Sequence, residues 1–147
     1  MKKFVFSLEK VLGYKQQILD LLKNELSRLQ MERNKIEQQI EERNCEFDNT
    51  NHSLIVKMQD VMAPHDIAVY KSYLSDLNRR ILDLQAEKQK AVEAVEAKQK
   101  EIVQMNSDIS GLERLKDKQL EAYLSQERKA QETFIEEFVG RANVQAG

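Results

Sequence analysis

The chain has 147 residues, of which 33% are charged, and it contains four Gly, one Pro, one Cys and no Trp. Its 23 basic and 25 acidic side chains are mixed along the sequence and give a formal net charge of -2, so no basic surface is predicted to attract a nucleic acid backbone. This composition is typical of long helices rather than of an enzyme with a buried active-site cleft.

Apolar residues of the N-terminal half recur at steps of three and four, which predicts an amphipathic helix over about residues 7–61. We call its core positions the first seam. They are Leu8, Leu12, Lys15, Leu19, Leu22, Leu26, Leu29, Arg33, Ile36, Ile40, Arg43, Phe47, Thr50 and Leu54. Polar residues at 48–53 compete for backbone hydrogen bonds. The helix therefore either continues through this run or stops or kinks there.

The single proline, Pro64, divides the chain and predicts a turn over about residues 60–65. Proline suits the first turn of a helix because its missing N–H needs no partner there, so a second helix is predicted over about residues 64–140. Its core positions form the second seam: Ile67, Tyr70, Leu74, Leu77, Ile81, Leu84, Lys88, Ala91, Val95, Lys98, Ile102, Met105, Ile109, Leu112, Lys116, Gln119, Tyr123, Gln126 and Ala130.

Two helices of matching period, joined by a short turn, predict an all-α fold: a long two-helix antiparallel coiled-coil hairpin with the second helix longer than the first. We expect one domain over residues 1–147. Because the helices differ in length, roughly the last twenty residues are predicted to extend past the first helix.

Apolar residues outside the seams indicate where the protein binds partners. The C-terminal segment carries Leu120, Leu124, Phe134, Ile135 and Phe138. Near the turn, three further residues leave the seam, and these either pack locally or bind a partner: Val69, Tyr73 and Leu82. Exposed apolar surface commonly marks a protein-binding site. We therefore expect binding surfaces at both ends of the hairpin.

Residues that could carry chemistry are few. The four glycines occur singly, so no phosphate-binding loop is predicted. His52 and His65 flank the turn, where loop polarity explains them better than metal ligation does. Cys45 falls at an outward position with no base beside it. We therefore predict no enzymatic activity, no cofactor and no metal.

The sequence also bears on location. The apolar stretch that opens the chain is interrupted by Glu9 and Lys10 before it reaches the length of a signal peptide. No segment approaches the length of a membrane span. One cysteine cannot form an internal disulfide. These features predict a cytoplasmic protein.

Both terminal regions contain motifs that resemble the family of the flagellar export protein FliJ. The run from Phe4 to Lys15 reads FVFSLEKVLGYK and precedes a long Gln- and Glu-rich helix. The run from Arg128 to Ala142 reads RKAQETFIEEFVGRA and resembles the C-terminal pattern of that family. One departure is Glu136, where the family pattern more often has Asp. The resemblance covers essentially the whole chain.

The resemblance implies a non-catalytic component of flagellar type III protein export. Such a protein binds the hexameric export ATPase, as the central stalk of rotary ATPases does, and promotes its assembly and activity. The residues assigned to this contact are Phe4, Phe6, Leu120, Leu124, Gln131, Phe134, Ile135, Phe138 and Arg141.

The resemblance also implies a contact with the large cytoplasmic domain of the membrane export gate. Family members are expected to make it through an aromatic residue and a leucine four positions later, which here are Tyr73 and Leu77. Export chaperones are further implied partners. The implied location is the inner face of the cell membrane at the flagellar base, where the protein associates peripherally and has no transmembrane segment.

Other functions stay open on the sequence alone. The chain could be a self-associating structural coiled coil whose C-terminal segment pairs with another copy, or a general export chaperone or adaptor. A nucleic-acid-gripping helical arm needs a basic face, whereas the lysines here alternate with glutamates.

Overall fold

The computed structural model describes residues 3–146 and the side chains of residues 3–144; Met1, Lys2 and Gly147 of the predicted hairpin lie outside the described residues. Residues 3–146 form two helices and no strand: α1 spans Glu9–Met58 and α2 spans Pro64–Ala146. With 83 residues, α2 is longer than α1, which has 50. The predicted all-α fold, a helical hairpin with a longer second helix, is confirmed.

The helix bounds differ from those predicted by a few residues. The first helix is shorter than the predicted 7–61, and the second continues past residue 140. The polar run at 48–53 does not interrupt α1, because Leu54 is buried just beyond it and packing outweighs weak helix propensity. Pro64 begins α2 as predicted: the carbonyl oxygen of Ala63 accepts hydrogen bonds from the N–H groups of Asp66 and Ile67, at 3.0 and 3.2 Å.

The contacts group into two compact units, so the single domain predicted for residues 1–147 stays a prediction. The turn-side unit spans residues 21–102. Its ion pairs show antiparallel pairing: Lys88 Nζ lies 3.8 Å from Glu37, and Lys98 Nζ lies 2.7 Å from Glu25. The residue number of the partner on α1 decreases as the residue number of the lysine on α2 increases, which is the mark of antiparallel helices. The buried core of this unit consists of Leu54, Leu74, Leu77, Ile81, Leu84 and Val95.

The terminal unit combines the chain up to Asp20 with the chain from Val103 onward. It too is antiparallel, because Lys15 Nζ lies 3.3 Å from Asp108 and Lys116 Nζ lies 2.8 Å from Glu9. Its buried core consists of Phe6, Leu12 and Ile109.

The seam prediction holds along most of both helices and fails at identifiable places. Every second-seam position from Ile67 to Lys116 is buried or half-buried. The prediction is wrong at Gln119, Gln126 and Ala130, which are exposed because the described N-terminal residues pair no further than Tyr123. In the first seam it is wrong at Arg43, which is exposed and forms a 3.1 Å ion pair with Glu46.

Candidate protein-binding surfaces

An apolar stripe runs along α2 after residue 119. Its spacing matches the helical repeat, so the side chains point to one side of the helix within about 60° of a common direction. The stripe consists of five exposed side chains, which we call the C-terminal face: Leu120 (36%), Leu124 (45%), Phe134 (69%), Ile135 (59%) and Phe138 (66%). Helices usually bury such a stripe against another element. The C-terminal face is therefore a candidate binding surface.

The last three residues of this face lie past the point where intramolecular pairing ends. The ring of Phe4 packs against Tyr123 at a centroid distance of 5.5 Å and an interplanar angle of 46°. Beyond Glu127, all residues from 128 to 144 are exposed. Aromatic pairs with this tilted geometry are favourable. The Phe4–Tyr123 contact thus marks the end of the paired part of the terminal unit.

Polar groups accompany the apolar side chains of this segment. The hydroxyl of Tyr123 donates a 2.7 Å hydrogen bond to the carboxylate of Glu127, which raises the pKa of Tyr123 because the bond needs the protonated phenol. Gln131 and Arg141, both assigned from the sequence to the ATPase contact, are exposed.

The two N-terminal aromatic residues assigned to the same contact have different environments. Phe4 is half-buried against Tyr123. Phe6 is only 4% exposed. Phe6 is therefore a core residue of the terminal unit and offers almost no surface to a partner.

In the turn-side unit, the structure separates the two residues assigned to the export gate. Tyr73 is 44% exposed, whereas Leu77 is 7% exposed in the seam. The hydroxyl of Tyr73 donates a hydrogen bond to the carboxylate of Glu46. This bond raises the pKa of Tyr73 and lowers the pKa of Glu46. Of the pair, only Tyr73 has surface available for a partner.

Tyr73 borders an open groove of about 390 Å³. The groove is lined by Asn49, Thr50, Ser53, Val69, Tyr70 and Tyr73. On the sequence alone, Asn49 and Ser53 are only poor helix formers, whereas Thr50 is also a first-seam position. The signal that could have identified them is a polar run on α1 opposite aromatic residues of α2, which indicates a surface with both hydrogen-bonding and apolar groups.

A second groove of about 430 Å³ lies beside the turn and shares Val69 and Tyr70 with the first. Lys57 lies on its wall, where its ammonium group donates a hydrogen bond to the hydroxyl of Tyr70 and sits 5.0 Å from the centroid of that ring. This contact joins the ends of α1 and α2 beside the turn.

The arrangement favours contact with other proteins over chemistry. Among the residues that the structure describes, no buried polar side-chain atom lacks a hydrogen-bond partner, and no three His, Cys, Asp or Glu side chains are grouped to hold a metal ion. Cys45 is exposed, as predicted. Both grooves are open, so they suit a protein segment better than a small molecule.

The comparison with protein families decides the identity. A model of the family described as "Flagellar FliJ protein" matches residues 4–146, nearly the whole chain. The chain belongs to the FliJ family. No curated protein and no solved structure shows significant similarity to it.

Membership of the FliJ family makes the chain a component of flagellar protein export, and the family is not an enzyme family. This confirms the family assignment made from the two terminal motifs. Within the described part of the chain, neither helix contains a stretch that is long and apolar enough to cross a membrane.

Proposed function

We propose that the protein binds the hexameric flagellar export ATPase through its C-terminal face, acts there as a central-stalk-like subunit, and promotes assembly and activity of the ATPase. The observation that carries this proposal is the exposure of five large apolar side chains on one side of α2, three of which lie past the paired part of the terminal unit. Family membership supplies the export apparatus as the setting.

The energetics of the face support a protein partner. Phe134 and Phe138 have more than half of their surface in water, and aromatic side chains of this kind dominate binding free energies when a partner covers them. At about 25 cal/mol per Å² of apolar area, covering the face favours association by several kcal/mol. Gln131, within the face, and Arg141, at its C-terminal end, provide polar contacts.

We further propose that the protein contacts the large cytoplasmic domain of the export gate through Tyr73 and the groove beside it. The groove combines an aromatic wall with the amide and hydroxyl groups of Asn49, Thr50 and Ser53. Leu77 supports this site from the seam, because its side chain is buried. The protein then works in the cytoplasm, peripherally associated with the membrane at the flagellar base.

The ATPase contact is tested by the double variant Ile135→Ala/Phe138→Ala. Both side chains are exposed, so circular dichroism should stay helical while the dissociation constant for the export ATPase, measured by calorimetry, rises at least tenfold. The matched control is Leu21→Ala/Met31→Ala, which removes two equally exposed apolar side chains of α1 (61% and 71%). Equal weakening by both variants, or no weakening by the first, would contradict the proposed contact.

The gate contact is tested by Tyr73→Ala. Export of flagellar proteins should fall, while stimulation of the ATPase is preserved. Leu21→Ala is the control, because Leu21 is also exposed (61%) and outside the seam in the same unit. If Tyr73→Ala lowers ATPase stimulation as much as export, the two contacts are not separate.

A further inference from the structure

The C-terminal segment of α2 contains a second heptad pattern. Its residues are complementary to the same residues of a second copy that runs antiparallel. Its first five positions each follow a seam position by one residue, which places them about 100° around the helix from the seam. Its last three continue the same spacing past Ala130, where the seam ends. The positions alternate by steps of three and four: Asp117, Leu120, Leu124, Glu127, Gln131, Phe134, Phe138 and Arg141. Glu127 is half-buried and the other seven are exposed.

We propose that in the free protein two copies pair antiparallel through this face, with the two-fold axis near Lys129. In this register each core position meets a complementary one on the other copy. Core positions pair in this alternating manner in antiparallel coiled coils, and a two-fold interface brings the same surface patch of both copies together.

The layers of the interface follow from this register. Two layers are apolar, since Leu120 faces Phe138 and Leu124 faces Phe134 of the other copy. The central layer pairs Glu127 with Gln131, whose amide can donate to the carboxylate. The outer layer joins Asp117 to Arg141, and neither of these charged groups forms an ion pair within the described residues.

Other arrangements of the same two helices lose this complementarity. A parallel pair in register places Asp117 against Asp117 and Arg141 against Arg141, and like charges in contact disfavour association. Sliding the antiparallel pair by one heptad places Leu124 against Arg141 or against Glu127. Only one register therefore matches apolar with apolar and acid with base.

The size of the interface indicates a reversible dimer. If all five side chains of the C-terminal face are covered in both copies, roughly 1,000 Å² is buried, which is below the range of stable complexes. The second copy would also cover the surface that we propose for the ATPase. This consequence rests on the proposed function, whereas self-pairing does not. A partner that binds more tightly would displace the second copy.

The register is tested by cross-linking single cysteines in a Cys45→Ser background. The variants Asp117→Cys and Arg141→Cys, when mixed and oxidised, should form a disulfide-linked pair, because a disulfide requires Cα atoms within about 7 Å. Each variant alone should give little product, since its own cysteines lie roughly 35 Å apart along the helix in this register. Efficient cross-linking of either variant alone would overturn the antiparallel register.

The dimer itself is tested by sedimentation equilibrium of the intact chain without the ATPase. The average mass should rise from one copy toward two between roughly 10 µM and 1 mM. Arg141→Asp should weaken association at least tenfold by placing two acids together, and Asp117→Arg/Arg141→Asp should restore it. A wild-type mass of one copy at every concentration would overturn self-pairing and leave the ATPase proposal intact. Dimerisation of the wild-type protein without any binding to the ATPase would support self-pairing and overturn the ATPase proposal.

Discussion

Two stretches of α2 have the same residue types and the same heptad spacing, yet their side chains have opposite environments. In the seam, Leu84 is fully buried (0% exposed) against the turn-side unit's core. On the C-terminal face, Phe138 is 66% exposed. The difference is whether α1 or the N-terminal segment lies beside the helix. A heptad pattern thus shows which side of a helix can be covered, and the partner decides which part is covered.

The charged residues of the two stretches differ in the same way. Lys98 lies in the seam with its side chain only 19% exposed, and its ammonium group reaches Glu25 at 2.7 Å and Glu101 at 3.1 Å. Arg141 on the C-terminal side has no ion pair within the described residues. The seam lysine is held by its own chain, whereas Arg141 is available to a partner.

The largest expected effect separates seam from face by stability. Leu84→Ala should lower the free energy of unfolding by about 2–5 kcal/mol, because it opens a cavity in a packed core. Phe138→Ala should change it by less than about 0.5 kcal/mol, as an exposed substitution does. Urea denaturation followed by circular dichroism measures both. A comparable loss for Phe138→Ala would show that the face is covered within the chain and would break the comparison.

Glycine substitutions give a smaller effect in the opposite direction. A Cβ atom added at Gly111 or Gly140 would meet nothing within 4 Å. Gly111→Ala should therefore raise the free energy of unfolding by about 0.5–1 kcal/mol through better helix propensity. Gly140→Ala should raise it less, because a helix end opens locally before the whole unit unfolds. Equal gains measured by denaturation would mean that residue 140 belongs to the cooperative core.

The seam ion pair should produce a pH dependence that the face lacks. The hydrogen bond from Lys98 lowers the pKa of Glu25 from its usual 4.5, and the hydrogen bond to Glu25 raises the pKa of Lys98 from its usual 10.5. The stabilisation by Glu25 is present above pH 4.5 and is lost as pH falls through the lowered value; that by Lys98 is present below pH 10.5 and is lost as pH rises through the raised value. Thermal unfolding of Glu25→Gln should accordingly show a weaker loss of stability in acid.

The smallest expected effect is spectroscopic and concerns the turn-side surface. Tyr73 should ionise at a higher pH than a free tyrosine, because ionisation breaks its hydrogen bond to Glu46. Glu46→Gln should bring this pKa back toward 10.0, as followed by ultraviolet absorbance in a variant series that assigns each tyrosine. An unchanged titration of Tyr73 in Glu46→Gln would show that the hydrogen bond is not maintained in solution.

The sequence predicted the two helices, the turn at Pro64 and the seam as far as Lys116, because each rests on local periodicity or on the covalent properties of proline. It also predicted the exposure of Phe134, Ile135 and Phe138, because unequal helix lengths leave part of α2 past the first helix. The burial of Phe6 could not be predicted, since Phe6 precedes α1 and follows no period. The groove beside Tyr73 depends on which residues of α1 face α2, which no local pattern shows.

The most direct test of the central claim, that the seam builds the protein and the C-terminal face binds its partner, is the rate of ATP hydrolysis by the export ATPase. The rate should rise with increasing wild-type protein and with the control Leu21→Ala/Met31→Ala, and it should stay near the basal rate with Ile135→Ala/Phe138→Ala. Full stimulation by Ile135→Ala/Phe138→Ala, with both proteins helical by circular dichroism, would contradict the account.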